Sequence, residues 1–71
     1  NLSSLKAYTR NGKGIIEAAE KVARLQVFTA SGKLILEKQN VAAPVHVPLS
    51  DGVNIIKVQT ENETKTFKLI K

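Results

Sequence analysis

The sequence predicts an all-β domain of about seven short antiparallel strands, closed as a sandwich or a barrel. Three observations carry this. Turn-forming residues recur at short intervals: Asn11-Gly12, Ser31-Gly32, Pro44, Pro48, Asp51-Gly52 and the polar Glu61-Asn62-Glu63. The runs between them have strand length and alternate apolar with polar residues, which marks half-buried strands. Only one stretch, Ile16 to Leu25, rivals this reading as a helix, through the good helix formers Glu17, Ala18, Ala19, Glu20 and Lys21.

Taken in order, Leu5 to Tyr8 is the first expected strand. Asn11-Gly12 turns the chain into Gly14 to Ala18, because both turn residues tolerate positive φ. Ile16 to Leu25 is the one helical rival. Its apolar positions do not group on one face, so Ala18 to Lys21 reads as a connection. Val22 to Thr29 follows, with Ala23, Leu25 and Val27 on one face and Arg24, Gln26 and Phe28 on the other. After Ser31-Gly32, Lys33 to Glu37 places Leu34 and Leu36 together, opposite Lys33, Ile35 and Glu37. Val45, Val47 and Leu49 alternate with His46 and Pro48. Val53 to Thr60 groups Ile56 and Val58 with Asn54, against Val53, Ile55 and Lys57. Thr64 to Lys71 closes the series, with Phe67 and Leu69 facing one way and Thr66, Lys68 and Ile70 the other.

The 71 residues are expected to form a single domain, 1–71. A domain of this size buries only about 60% of its unfolded surface, leaving little room for a deep cleft. There is no Cys, so disulfides, thiolate metal sites and a Cys nucleophile are excluded and aliphatic burial must hold the fold. There is no Met, so Asn1 is expected to be a processed end or a cut from a longer exported protein. No apolar run approaches the ~20 residues of a membrane helix. Eleven Lys and Arg against six acids give a net charge of +5, but the cations are spread along the chain without a basic block. Nucleic acid is therefore not an expected partner.

Signals for chemistry are sparse, and the expectation is a domain that is not an enzyme and needs no cofactor. His46, the one histidine, lies between Val45 and Val47 on the face opposite their side chains and has no clustered metal ligands beside it. Ser50 and Asp51 stand where a turn is expected, not a triad. Glu61 and Glu63 flank a turn tip. Gly12-Lys13-Gly14 is too short for a phosphate loop. Tyr8, Phe28 and Phe67 are the only aromatics, and with at least two available to the core they do not suggest a stacking platform for nucleotides or sugars. Asn1-Leu2-Ser3 and Asn62-Glu63-Thr64 match glycan acceptor sites formally and carry no weight.

One longer pattern is more specific. The segment Arg24-Leu25-Gln26-Val27-Phe28-Thr29-Ala30-Ser31-Gly32-Lys33-Leu34-Ile35 resembles the Val-Tyr-Asp-x-x-Gly-Arg-x-Val hairpin of the C-terminal sorting domains (type A) of the type IX secretion system of Bacteroidetes. Val45 to Leu49 stands where that family has a short Ile/Val-x-Leu strand. Gly52 to Val58 resembles its Gly-x-Tyr-Ile-Val-Lys-Val strand, and Thr66 to Lys71 its terminal x-Lys-x-x-x-Lys strand. The likeness covers about residues 23 to 71, and the family also ends at or just after this last Lys. Phe28 stands for the usual Tyr, Thr29 for Asp, Ser50-Asp51 where a Pro is often found, and Asn54 at a Tyr position.

The resemblance implies an immunoglobulin-like β-sandwich serving as a secretion signal. The cargo would cross the periplasm in transit. An outer-membrane translocon would recognise the domain and pass the cargo to the cell surface or the extracellular medium. Surface sortase components would remove the domain and join the cargo to anionic lipopolysaccharide. Gly32, Gly52, Lys57, Lys68 and Lys71 match the family pattern. The recognition set implied is Gly52, Lys57, Lys68, Leu69, Ile70 and Lys71, with Gly32 as a turn residue. A dimer paired through edge strands is an association open to such sheets. The alternative reading is a structural or adhesive immunoglobulin-like module of a surface protein.

Overall fold

A computed structural model describes residues 5–71. The expectations attached to Asn1, including the sequon that begins there, fall outside the described residues. Seven strands form two antiparallel sheets, with no helix among the described residues. They are β1 (Lys6–Arg10), β2 (Lys13–Glu17), β3 (Val22–Thr29), β4 (Leu34–Val41), β5 (Val45–Pro48), β6 (Val53–Thr60) and β7 (Thr64–Ile70). One sheet runs β1-β2-β5 and the other β4-β3-β6-β7. The all-β, sandwich-like architecture of seven strands is thus as the alternation predicts, and residues 18–21 are a connection.

The core lies between the sheets. Leu5, Ile16, Val45, Val47 and Leu49 come from one side. Val22, Leu25, Val27, Ile56, Val58 and Leu69 come from the other, with Ala7, Ala18, Leu36, Val41 and Phe67 packed at the margin. Gly14 sits where the sheets approach closely. A Cβ there would lie 3.0 Å from Val47 Cγ2, 3.2 Å from Leu49 Cδ2 and 3.3 Å from Leu69 Cδ1. The missing side chain lets β2 pack directly on the end of β7.

Two bulges correct the simple alternation. In β3, Val22 pairs with Thr60 and Arg24 with Gln59, so Ala23 is an inserted residue. Val22 is therefore buried with Leu25 and Val27, and Ala23 does not take the inward position expected of it. At the end of the β3–β4 hairpin, Val27 pairs with Leu36 but Phe28 with Leu34, leaving Ile35 inserted. Leu34 consequently shares the outer face with Phe28, while Leu36 shares the inner face with Val27. An inserted residue reverses the facing of everything beyond it. β4 also runs to Val41, beyond the expected end at Glu37. Its polar Lys38-Gln39-Asn40 is tolerated because β4 is an edge strand.

The register places one row of four residues across the larger sheet: Lys38, Leu25, Val58 and Lys65. Leu25 and Val58 are fully buried, so a lysine stands on the inner side of each edge strand.

Candidate functional site

The strand register gathers the turns Asn11-Gly12, Thr29 to Lys33 and Ser50 to Gly52, together with Lys71, at one pole of the sandwich. Asn11 and Gly12 take φ of 52° and 76°, as a two-residue hairpin turn requires, and Gly32 has φ 92°. Thr29 fixes the β3–β4 turn. Its N–H donates to the Lys33 carbonyl at 2.8 Å, its carbonyl accepts from the Gly32 N–H at 2.9 Å, and its hydroxyl lies 2.9 Å from Ser31 Oγ.

The centre of this pole is Asn54, which the alternation of β6 groups with Ile56 and Val58 and which stands at the family's Tyr position. It is fully buried. Its Oδ1 accepts from the Ser50 N–H at 2.9 Å and the Ser50 hydroxyl at 2.8 Å. Its Nδ2 donates to the carbonyls of Ser50 at 2.9 Å, Gly52 at 3.2 Å and Leu69 at 3.5 Å. One amide thus binds the β5–β6 turn to the terminal strand. A polar side chain on the core-facing register of β6, four residues after Ser50, was the available signal.

Gly52 completes the link. At φ 90° it occupies a conformation that side chains rarely adopt, although a Cβ would meet nothing within 4 Å. Its requirement is for backbone freedom, not space. The Lys71 N–H donates to the Gly52 carbonyl at 2.9 Å, and the Gly52 N–H reaches the Lys71 carbonyl at 3.4 Å. Lys71 Nζ stands 3.9 Å from Asp51 Oδ1.

The residues expected for recognition divide between three places. Gly52 and Lys71 form this backbone pair. Lys57, Lys68 and Ile70 lie on the outer face of the larger sheet, opposite Gln26 and Thr66, Ile55, and Val53 respectively. Lys57 and Lys68 are exposed, and Ile70 is 63% exposed. Leu69 points the other way and is buried in the core. Beside Ile70, Phe28, Leu34 and Ile55 make the end of that outer face nearest the turn-rich pole apolar, with Leu34 exposed.

Charge is segregated more strongly than the linear sequence suggests. Arg10, Lys13, Lys33, Lys68 and Lys71 lie at or beside the turn-rich pole, where Asp51 is the one acid among the described residues. Glu17, Glu20, Glu61 and Glu63 lie toward the opposite pole, with Lys6, Lys21 and Lys65. There, Asn62 Nδ2 donates to the Glu20 carboxylate at 3.0 and 3.2 Å, joining two loops. Among the described residues no group of three or more His, Asp or Glu side chains is placed to hold a metal, and no helix is long and apolar enough to cross a membrane.

On the outer face of the smaller sheet lies a concave surface of about 560 Å³. Tyr8, Ile15 and His46 form one cross-strand row along it, and Arg10 faces Lys13 at its turn-rich end. The composition leaves at least two of the three aromatics available to the core, but among the described residues Phe67 alone of them packs against it. Tyr8 is 36% exposed and donates a 2.8 Å hydrogen bond to Glu17 Oε2. That bond, then desolvation, and then the Glu17 charge raise the phenol pKa, although Arg10 opposes them.

Comparison with known proteins gives no assignment: no protein-family model, curated protein or solved structure matches the chain.

Proposed function

We propose that this chain is a secretion sorting domain of the type IX kind, read by an outer-membrane translocon through its turn-rich pole and the adjoining outer face of the larger sheet. The observation that carries the reading is the alignment of motif with element. The four segments that resemble the family fall in order on the β3–β4 hairpin, β5, β6 and β7. The pair Gly52 and Lys71, drawn from two of those segments, is joined by backbone hydrogen bonds. Lys68 and Ile70 stand exposed beside that pair, available to a partner. An immunoglobulin-like fold accords with the strand order: first, second and fifth strands in one sheet, the remaining four in the other. In this reading the cargo passes through the periplasm and reaches the cell surface.

The test is a fusion of the 71 residues to the C-terminus of an exported fluorescent protein, expressed in a bacterium with a type IX system. Removal of Thr66 to Lys71 would also remove a hydrogen-bonded strand and the buried Leu69, so loss of export by that deletion is ambiguous. The double substitution Lys68→Glu and Ile70→Asp changes only exposed side chains. Surface fluorescence is expected from the parent fusion and a loss of most of it from the double variant, with folding of both checked by circular dichroism. A folded parent fusion that stays in the periplasm would reject the sorting role and favour a structural or adhesive surface module.

A further inference from the structure

We propose that the concave outer face of the β1-β2-β5 sheet is a binding site for an anionic saccharide, its acidic group held by Arg10 and Lys13 and its sugar body lying over Ile15 between Tyr8 and His46. The first observation is a conflict. Arg10 and Lys13 are directly opposed across the β1–β2 hairpin. Like charges in that position destabilise a strand pair. Neither has an ion-pair partner among the described residues, unlike Arg24, which pairs with Glu37, and Lys71, which pairs with Asp51. Lys33, Lys68 and Lys71 at the same pole add to the positive potential. An anion seated there removes the repulsion, so the fold carries a cost that a ligand relieves.

The second observation is the surface leading away from that pair. Ile15 is 6% exposed, yet it lies on the outer register and outside the core cluster. It lines the concavity and forms its apolar floor. Tyr8 and His46 flank it on the same row. Glu17 lies at the far end and accepts a hydrogen bond from the Tyr8 hydroxyl, which fixes the ring beside Ile15. An apolar floor bordered by rings, donors and a carboxylate suits a sugar, which presents C–H faces and hydroxyls together. The volume of about 560 Å³ falls within the range of small-molecule sites, about 300–1,000 Å³. Arg10 and Lys13 do not distinguish a phosphate from a carboxylate, so both remain members of the ligand class.

The test is an NMR titration of the full chain with glucose 6-phosphate, glucuronate, glucose and inorganic phosphate. At least one of the two anionic sugars is expected to give saturable shifts at the Tyr8, Ile15 and His46 amides. It should bind about tenfold more tightly than inorganic phosphate or glucose; the tighter of the two identifies the acidic group. The variant Arg10→Gln with Lys13→Gln should lose this binding while its unfolding midpoint is retained or raised, since the repulsion is gone. Inorganic phosphate binding as tightly as both anionic sugars would reduce the effect to general ion attraction and overturn the proposal. Unchanged binding by the double variant, or no saturable shift with either anionic sugar, would also overturn it.

Discussion

Asn54 illustrates how one side chain organises a pole. A buried amide is costly unless each of its polar atoms finds a partner, and all of Asn54's do. Replacing Asn54 with Ala would leave the Ser50 N–H and several carbonyls without their partner. The expected loss is about 2 kcal/mol, read as a lower urea midpoint at unchanged slope. Asn62→Ala, which removes only an exposed bond to Glu20, should shift the midpoint far less. The inward facing of Asn54 was legible from the alternation of β6. Its five-bonded role was not, because the partners are backbone groups on a turn and on β7 that alternation cannot position. The exposure of Tyr8 was likewise hidden, since an aromatic on a short strand fits either face until the register is known.

At the scale of the elements, the edges of the larger sheet decide how the domain meets its own copies. Lys38 on β4 and Lys65 on β7 stand on the inner side of the sheet, in line with Leu25 and Val58. Strand-to-strand association would bring these ammonium groups toward the apolar interior of a continuous sheet, a device that blunts edges. Replacing both with Val should produce concentration-dependent self-association by sedimentation velocity, while the parent chain stays monomeric under the same conditions. A parent chain that already dimerises through β7 would refute this account and support the edge-paired dimer. Strand existence and most facings were readable from period-two patterning. The bulges at Ala23 and Ile35 were not, because an inserted residue leaves no compositional mark. The extension of β4 through Lys38-Gln39-Asn40 was hidden because only one side of an edge strand is paired.

For the whole molecule, the informative property is polarity of charge. The cations look evenly spread in sequence, but hairpins fold distant residues onto one end, and Arg10, Lys13, Lys33, Lys68 and Lys71 share a pole with a single acid among the described residues. Within about a Debye length, roughly 8 Å in physiological salt, such charges act together. The double reversal Lys33→Glu with Lys13→Glu should therefore lower the salt needed for elution from a cation exchanger more than Lys6→Glu with Lys21→Glu, although the change in net charge is the same. Equal shifts would show that net charge alone governs retention. Motif resemblance singles out the candidate recognition residues, and their grouping into an outer face, a pole and a buried position emerges only in three dimensions.

The backbone pair between Gly52 and Lys71 bears on time as well as place. Amides at the end of an edge strand, beside an exposed turn, open locally at little cost and exchange quickly. Here the Lys71 amide is bonded to the turn that Asn54 braces. Its exchange is expected to be slower than that of the exposed turn amide at Asp51, and to accelerate in Asn54→Ala before the amides at the centre of β3 respond. The last residue of the sequence would then serve as a clock for opening at the pole, reporting local release well ahead of global unfolding.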